Sequence, residues 1–94
     1  MGGKILIVDD EEDIRTSIRM VLEKEKHTIS EAANGKTALN MLEKEKFNLI
    51  ILDVMMPEMS GWDVLTEIIK RKPEYKGKIM FLSVVEISDE RKKN

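Results

Sequence analysis

The feature that most limits how this chain can fold is an apolar run that ends in one carboxylate, Leu49-Ile50-Ile51-Leu52-Asp53. Four consecutive large aliphatic residues indicate a strand that is buried on both faces, as in a parallel sheet. Asp53 then stands at the carboxyl end of the strand, the edge of an open α/β sheet where ligands collect. A single Asp at a strand end has a second interpretation, because Asp also caps helices and forms turns.

A second apolar run, Lys4-Ile5-Leu6-Ile7-Val8, also leads into acidic residues, which occupy positions 9 to 13. Beyond them, apolar side chains recur with the spacing of one helix face, at Ile14, Ile18, Val21 and Leu22. Acids at a helix start complement the helix dipole, and Asp10 is the expected N-cap. That explanation suits the later acids better than it suits Asp9 and Asp10, which repeat the strand-end position of Asp53.

The rest of the chain continues the alternation of strands and helices. We predict a weaker strand at 27–32, a helix at 36–45, a helix that Ser60 caps and Pro73 ends, a strand at 78–85 and a last helix starting near Ser88. This β-α-β-α-β-α-β order predicts an α/β fold, a doubly wound parallel sheet with helices on both faces. Residues 1–94 then form a single domain.

Composition excludes several classes of function. Sixteen basic and 18 acidic residues give a net charge of −2, so no surface for nucleic acid is indicated. The apolar stretches are too short to span a bilayer, and the first residues lack the hydrophobic region of a signal peptide. The absence of cysteine rules out disulfides, thiolate nucleophiles and sulfur metal ligands. We therefore expect a cytoplasmic protein that contacts neither membrane nor nucleic acid.

The acidic strand ends predict a metal site. If the first and third strands are neighbours in the sheet, Asp9, Asp10 and Asp53 meet at one edge. Carboxylates at such short distances from one another resist simultaneous ionisation unless a cation lies between them. A site with few protein ligands, all of them oxygen, suits Mg²⁺, which keeps several waters and accepts a substrate phosphate. Two acids that hold the metal and a third that acts as nucleophile could form an aspartyl phosphate.

Three motifs, in this order and spacing, resemble the receiver domain of two-component response regulators: Ile7-Val8-Asp9-Asp10-Glu11, Glu31-Ala32-Ala33-Asn34-Gly35 and residues 52–61. The resemblance covers nearly the whole chain and implies a three-layer, flavodoxin-like fold. It implies that Asp53 is the phosphoacceptor, that Asp9 and Asp10 bind Mg²⁺, and that Met55 adds its backbone carbonyl. Ser83 matches the hydroxyl residue that hydrogen-bonds the phosphoryl group and shifts on activation. A sensor histidine kinase is the implied partner, and the domain is not an enzyme beyond catalysing its own phosphorylation and dephosphorylation.

The chain departs from the family after its fourth strand. Family members continue into a fifth strand, which carries a phosphoryl-pairing Lys and an aromatic switch residue, and into a fifth helix. Neither has a counterpart here, so we expect a receiver that is shortened at its C-terminus. The fourth strand is then an unpaired apolar edge, which predicts self-association, most simply as a dimer.

Two alternatives remain at this point. A haloacid-dehalogenase-type phosphatase also uses an Asp nucleophile, but it requires a second Asp two residues later, where this chain has Met55. A shortened receiver could also be a non-switching interaction module that binds a kinase or another receiver. The presence of Asp9, Asp10 and Asp53 favours a phosphorylated module.

Overall fold

Strands and helices alternate along the chain in the computed structural model, which describes residues 2–82. The elements are β1 (Lys4–Val8), α1 (Glu12–Lys24), β2 (Thr28–Ala32), α2 (Gly35–Lys44), β3 (Leu49–Asp53), α3 (Gly61–Arg71), a 3₁₀ turn (Pro73–Tyr75) and β4 (Ile79–Leu82). The predictions for residues 83–94, including the role of Ser83 and the last helix, lie outside the described residues. Within residues 2–82, no helix has the length and apolar character needed to cross a bilayer.

The four strands form one parallel sheet in the order β2-β1-β3-β4. Val8 of β1 lies opposite Leu52 of β3 and, on its other side, opposite Ala32 of β2. The predicted doubly wound α/β fold is therefore confirmed. Because β1 and β3 are direct neighbours, the residues that follow them meet at the same edge of the sheet.

The sheet separates two apolar clusters, since successive side chains of a strand point to opposite faces. The larger cluster joins the sheet to α2 and α3 and includes Leu6, Val8, Ala38, Leu42, Ile50, Leu52, Val64 and Ile68. The smaller cluster lies under α1 and contains Ile5, Ile7, Ile29 and Ile51, with Ile18 and Leu22 packed against it. The molecule thus has three layers, and its central strands are buried from both sides.

Two details of α1 differ from the sequence-based prediction. The helix begins at Glu12 with Glu11 as N-cap, and no side chain caps it, so the prediction of Asp10 as N-cap is wrong. The carboxylate of Asp10 instead lies near those of Asp9 and Asp53. Val21, which was predicted to face the core, is 62% exposed. The helix packs over β2 and β1, so the side of α1 toward β3 is less covered.

Helix α3 begins as predicted, with a capping box between Ser60 and Asp63. Its first residue, Gly61, donates its N–H to the carbonyl of Val54 at 2.9 Å. A Cβ atom on Gly61 would lie 2.2 Å from the carbonyl oxygen of Asp53 and 2.8 Å from the Cα of Val54. Only glycine therefore allows the start of α3 to approach the end of β3 this closely.

We predict that Gly61→Ala lowers the free energy of unfolding by about 2–3 kcal/mol, because backbone atoms would have to move. Gly77→Ala is the matched control: its φ is +84°, but no atom lies within 4 Å of the new methyl group. Its cost comes from the backbone conformation alone and should be about 1 kcal/mol. Urea unfolding of both variants measures the difference, and equal losses would contradict the close approach at Gly61.

Candidate functional site

Three carboxylates converge at the carboxyl edge of the sheet. Asp9 and Asp10 follow β1, and Asp53 ends β3; one carboxylate oxygen from each lies within 4.8 Å of the others. The pairing of β1 with β3 produces this convergence, because Val8 lies opposite Leu52 and an aspartate follows each of them. Among the described residues, these three acids lie close enough together to share a metal ion.

Asp9 is the most firmly held of the three. It is 3% exposed, and its carboxylate oxygen Oδ1 accepts a hydrogen bond from the N–H of Glu11 at 2.9 Å. Its own N–H donates to the carbonyl of Ala32 in β2 at 3.1 Å. The carbonyl of Asp9 accepts from Nη1 of Arg15 at 2.6 Å. Its second carboxylate oxygen, Oδ2, has no recorded protein donor among the described residues.

Asp53 is 9% exposed and has fewer hydrogen bonds than Asp9 to hold its carboxylate and backbone in place. Its Oδ1 accepts a hydrogen bond from the N–H of Met55 at 3.2 Å. This bond spans the turn just after β3 and holds one carboxylate oxygen of Asp53 against the backbone. A carboxylate with one long hydrogen bond retains lone pairs for a cation or an electrophile.

The environment makes both buried acids harder to ionise. Burial raises the pKa of Asp53 above the usual 3.8, and the negative charges of Asp9 and Asp10 raise it further. Burial also raises the pKa of Asp9, with a smaller contribution from Asp10. In each case the backbone N–H bond, from Glu11 or Met55, opposes the rise without cancelling it. The folded state therefore concentrates negative charge that a bound cation would stabilise.

Asp9 and Asp53 line a small cleft together with Glu11, Ile14 and Met55. Its volume is about 80 Å³, which leaves room for a small cation and a few waters. The side chain of Met55 is 77% exposed at the rim of the cleft. The donors available here are carboxylate oxygens, with no imidazole or thiolate, and this donor set fits Mg²⁺.

The structure thus brings together Asp9, Asp10 and Asp53 and puts Met55 beside them. The recorded contact of Met55 is through its N–H, so metal binding through its carbonyl stays a prediction. Sequence reasoning missed Arg15, which lies against Asp9. The available signal was that Arg15 is the first cation after a run of acids, within the first turn of α1.

Comparison with known proteins gives one consistent family. The profile of the response regulator receiver domain matches residues 5–94. The transcriptional regulatory protein SrrA of Staphylococcus aureus (strain NCTC 8325 / PS 47) is 43% identical over 72 residues, which is 77% of this chain and 30% of SrrA. The chain therefore spans less than a third of the length of this curated relative.

Solved structures show the same likeness. The chemotaxis response regulator CheY4 of Vibrio cholerae is 31% identical with a TM-score of 0.82, over 92% of this chain and 72% of that one. The response regulator TrrA of Thermotoga maritima, solved in complex with Mg²⁺-BeF, is 31% identical with a TM-score of 0.75. That match covers 99% of this chain and 95% of the TrrA chain.

We predict that Asp53→Asn raises the free energy of unfolding of the metal-free protein by about 1 kcal/mol at neutral pH, because it removes one of three neighbouring negative charges. The unfolded chain releases the Asp53 proton near pH 3.8, whereas the folded wild type holds it to a higher pH. Wild-type stability therefore falls as pH rises from 3.8 through the raised pKa. The advantage of the variant grows across that window and disappears below it.

Urea unfolding at a series of pH values measures this effect. Glu74→Gln is the control, since Glu74 is an exposed carboxylate in the turn that precedes β4, at the amino ends of the strands. Its removal should change the free energy of unfolding by less than about 0.5 kcal/mol. If Asp53→Asn is no more stable than the wild type at neutral pH, the repulsion inferred at the site does not exist.

Proposed function

Because this chain belongs to the response regulator receiver family, we propose that it is a phosphoacceptor module that takes a phosphoryl group from a sensor kinase histidine onto Asp53. The observation that carries the proposal is the meeting of three carboxylate oxygens within 4.8 Å at the carboxyl edge of a parallel sheet. Receiver domains are signalling modules rather than classical enzymes, and the chemistry proposed here is a single transfer.

In that transfer an oxygen of Asp53 attacks the phosphorus of the phosphohistidine. The new P–O bond forms as the P–N bond breaks, and the electron pair of the P–N bond stays on the imidazole nitrogen. The N–H of Met55 holds Oδ1 of Asp53, which favours Oδ2 as the attacking atom. The partial burial that raises the pKa of Asp53 also strips water from the carboxylate, which makes the ionised form more reactive.

Mg²⁺ is the cofactor we propose, held by Asp9, Asp10, Asp53 and the backbone carbonyl of Met55. Support comes from the all-oxygen donor set of the cleft and from TrrA, a relative that was solved in complex with Mg²⁺-BeF. When bound, the ion would supply positive charge that offsets both the carboxylates and the transferring phosphoryl oxygens. Asp9 contributes a fixed point for it, because its backbone and one of its oxygens are already hydrogen-bonded.

The proposed partner is a sensor histidine kinase of a two-component system, and the transfer would take place in the cytoplasm. We propose that Ser83, outside the described residues, hydrogen-bonds the phosphoryl group and conveys its presence to a partner. The alternative is a non-switching module that binds a kinase or another receiver without being phosphorylated. The two differ in one measurable property, the acceptance of a phosphoryl group by Asp53.

Incubation with acetyl phosphate and Mg²⁺ tests the proposal. Intact-mass spectrometry should detect one phosphoryl adduct on the wild type and none on Asp53→Asn, because Asp53 is the single nucleophile that we propose. Chelation of Mg²⁺ should abolish the adduct. Glu58→Gln, which removes an exposed carboxylate five residues further along the same loop, should leave it intact.

An adduct that persists on Asp53→Asn would contradict the assignment of the acceptor. If the wild type acquires no adduct although Mg²⁺ still raises its melting temperature, the non-switching module becomes the better explanation.

We also propose self-association through the edge of β4. Within residues 2–82, β4 pairs with β3 on one side only, and Met80 on this strand is 56% exposed. An apolar edge strand invites pairing with a second copy, and a charge placed on it opposes such pairing. Sedimentation at micromolar concentration should therefore show a dimer for the wild type and a monomer for Met80→Lys.

Met20→Lys is the control, because Met20 is 59% exposed but lies on α1, and this variant should remain dimeric. A wild type that sediments as a monodisperse monomer would rule out the β4 contact.

A further inference from the structure

The guanidinium group of Arg15 bridges two elements behind the acidic cleft. Its Nη1 donates to the backbone carbonyl of Asp9 at 2.6 Å, and its Nε donates to Oε1 of Glu31 at 2.8 Å. The side chains of Arg15 and Glu31 are 14% and 22% exposed, so both contacts are largely shielded from water. Arg15 thereby ties the turn after β1 to strand β2.

Glu31 is itself fixed in place. Its other carboxylate oxygen accepts a hydrogen bond from Arg19, which also donates to Glu23 at 2.9 Å. The hydrogen bond from Arg15 is the main cause that lowers the pKa of Glu31. Glu31 is therefore a charged anchor at neutral pH, and Arg15 keeps a defined position because its Nε bonds to that anchor.

The result is that the backbone of Asp9 is held on both sides by β2. The N–H of Asp9 donates to Ala32, and its carbonyl is held by Arg15, whose anchor Glu31 is the residue before Ala32. The Glu11 N–H then fixes Oδ1 of the side chain. With these bonds in place, Oδ2 of Asp9 has little freedom in where it points.

We propose that Arg15, anchored by Glu31, is a positioning residue that sets the metal affinity of the cleft by orienting Asp9. The proposal rests on the function proposed above, because it concerns Mg²⁺ bound by Asp9, Asp10 and Asp53. Arg15 does not touch the metal in this account. It holds the peptide group of Asp9, and Asp9 in turn binds the metal.

The direction of the change in Mg²⁺ affinity distinguishes a positioning role of Arg15 from an effect of its charge alone. By Coulomb's law, removing a positive charge near a cation site should strengthen Mg²⁺ binding. If Arg15 positions Asp9, its removal should instead weaken binding, since loss of an outer-shell partner typically lowers metal affinity by about 10-fold or more. The two explanations therefore predict changes in opposite directions.

Calorimetric titration of the metal-free protein with Mg²⁺ is the test. We expect Arg15→Met to weaken binding by about 10-fold. Arg19→Met is the matched control, because it removes the same charge from the same helix. Arg19 donates to the other oxygen of Glu31, so its loss leaves both bonds of Arg15, to Glu31 and to Asp9, in place. The affinity of this variant should stay within about twofold of the wild type or become slightly tighter, as expected for a screened surface charge.

A pair of variants at Glu31 gives a second, independent reading. Glu31→Gln keeps an oxygen that can accept from Nε of Arg15 and should retain most of the affinity, whereas Glu31→Ala releases Arg15 and should weaken binding by about 10-fold. This pair decides the matter if Arg15→Met does not fold. Metal-free melting temperatures show whether a loss of affinity simply follows a loss of stability.

Each outcome has one meaning. If the wild type binds Mg²⁺ and Arg15→Met binds it equally well or more tightly, the positioning role is overturned and the proposed function stands. Equal affinities of Glu31→Gln and Glu31→Ala would overturn it as well. If the wild type fails to bind Mg²⁺ under conditions where it is folded, the proposed function itself fails and this inference fails with it.

Discussion

The parallel pairing of β1 with β3 is the interaction on which the rest of the structure depends. Both strands are apolar and buried on two faces, so a slip of one residue would move an aliphatic residue out of the core and a flanking polar residue into it, and the register is strongly specified. That register sets Val8 opposite Leu52, and the next residue on each strand is an aspartate. The core therefore enforces a cluster of negative charge that no local preference would produce.

This cluster is unfavourable in the absence of a cation, and the surrounding contacts show how it is tolerated. Burial and mutual repulsion raise the pKa of Asp9 and Asp53, so the folded state is weakened by the groups it holds closest together. Backbone N–H bonds and the guanidinium of Arg15 offset part of that cost from behind the cleft. A cation bound among these carboxylates would offset the remaining repulsion, because its positive charge favours their ionised forms.

Much of the fold was predictable, and both errors occurred where packing between elements overrides the local sequence pattern. The uninterrupted aliphatic runs gave β1 and β3 correctly, and Ser60 as the N-cap gave the start of α3. Asp10 was predicted to cap α1, but its carboxylate lies with the other acids, where Asp9 and Asp53 have been brought by the sheet. Val21 follows the apolar period of α1 yet is exposed, because the helix packs over β1 and β2 rather than over the whole face.

The sequence by itself determined the class of fold and the identity of the acids, because burial on both faces requires continuous aliphatic runs and the aspartates directly follow them. Tertiary structure decided which strands are neighbours, which way each acid points and what supports it. Arg15 and Glu31 are 16 residues apart and belong to different elements, so nothing local predicts their contact. It exists because the sheet order β2-β1-β3-β4 brings the end of β2 beside the turn that carries Asp9.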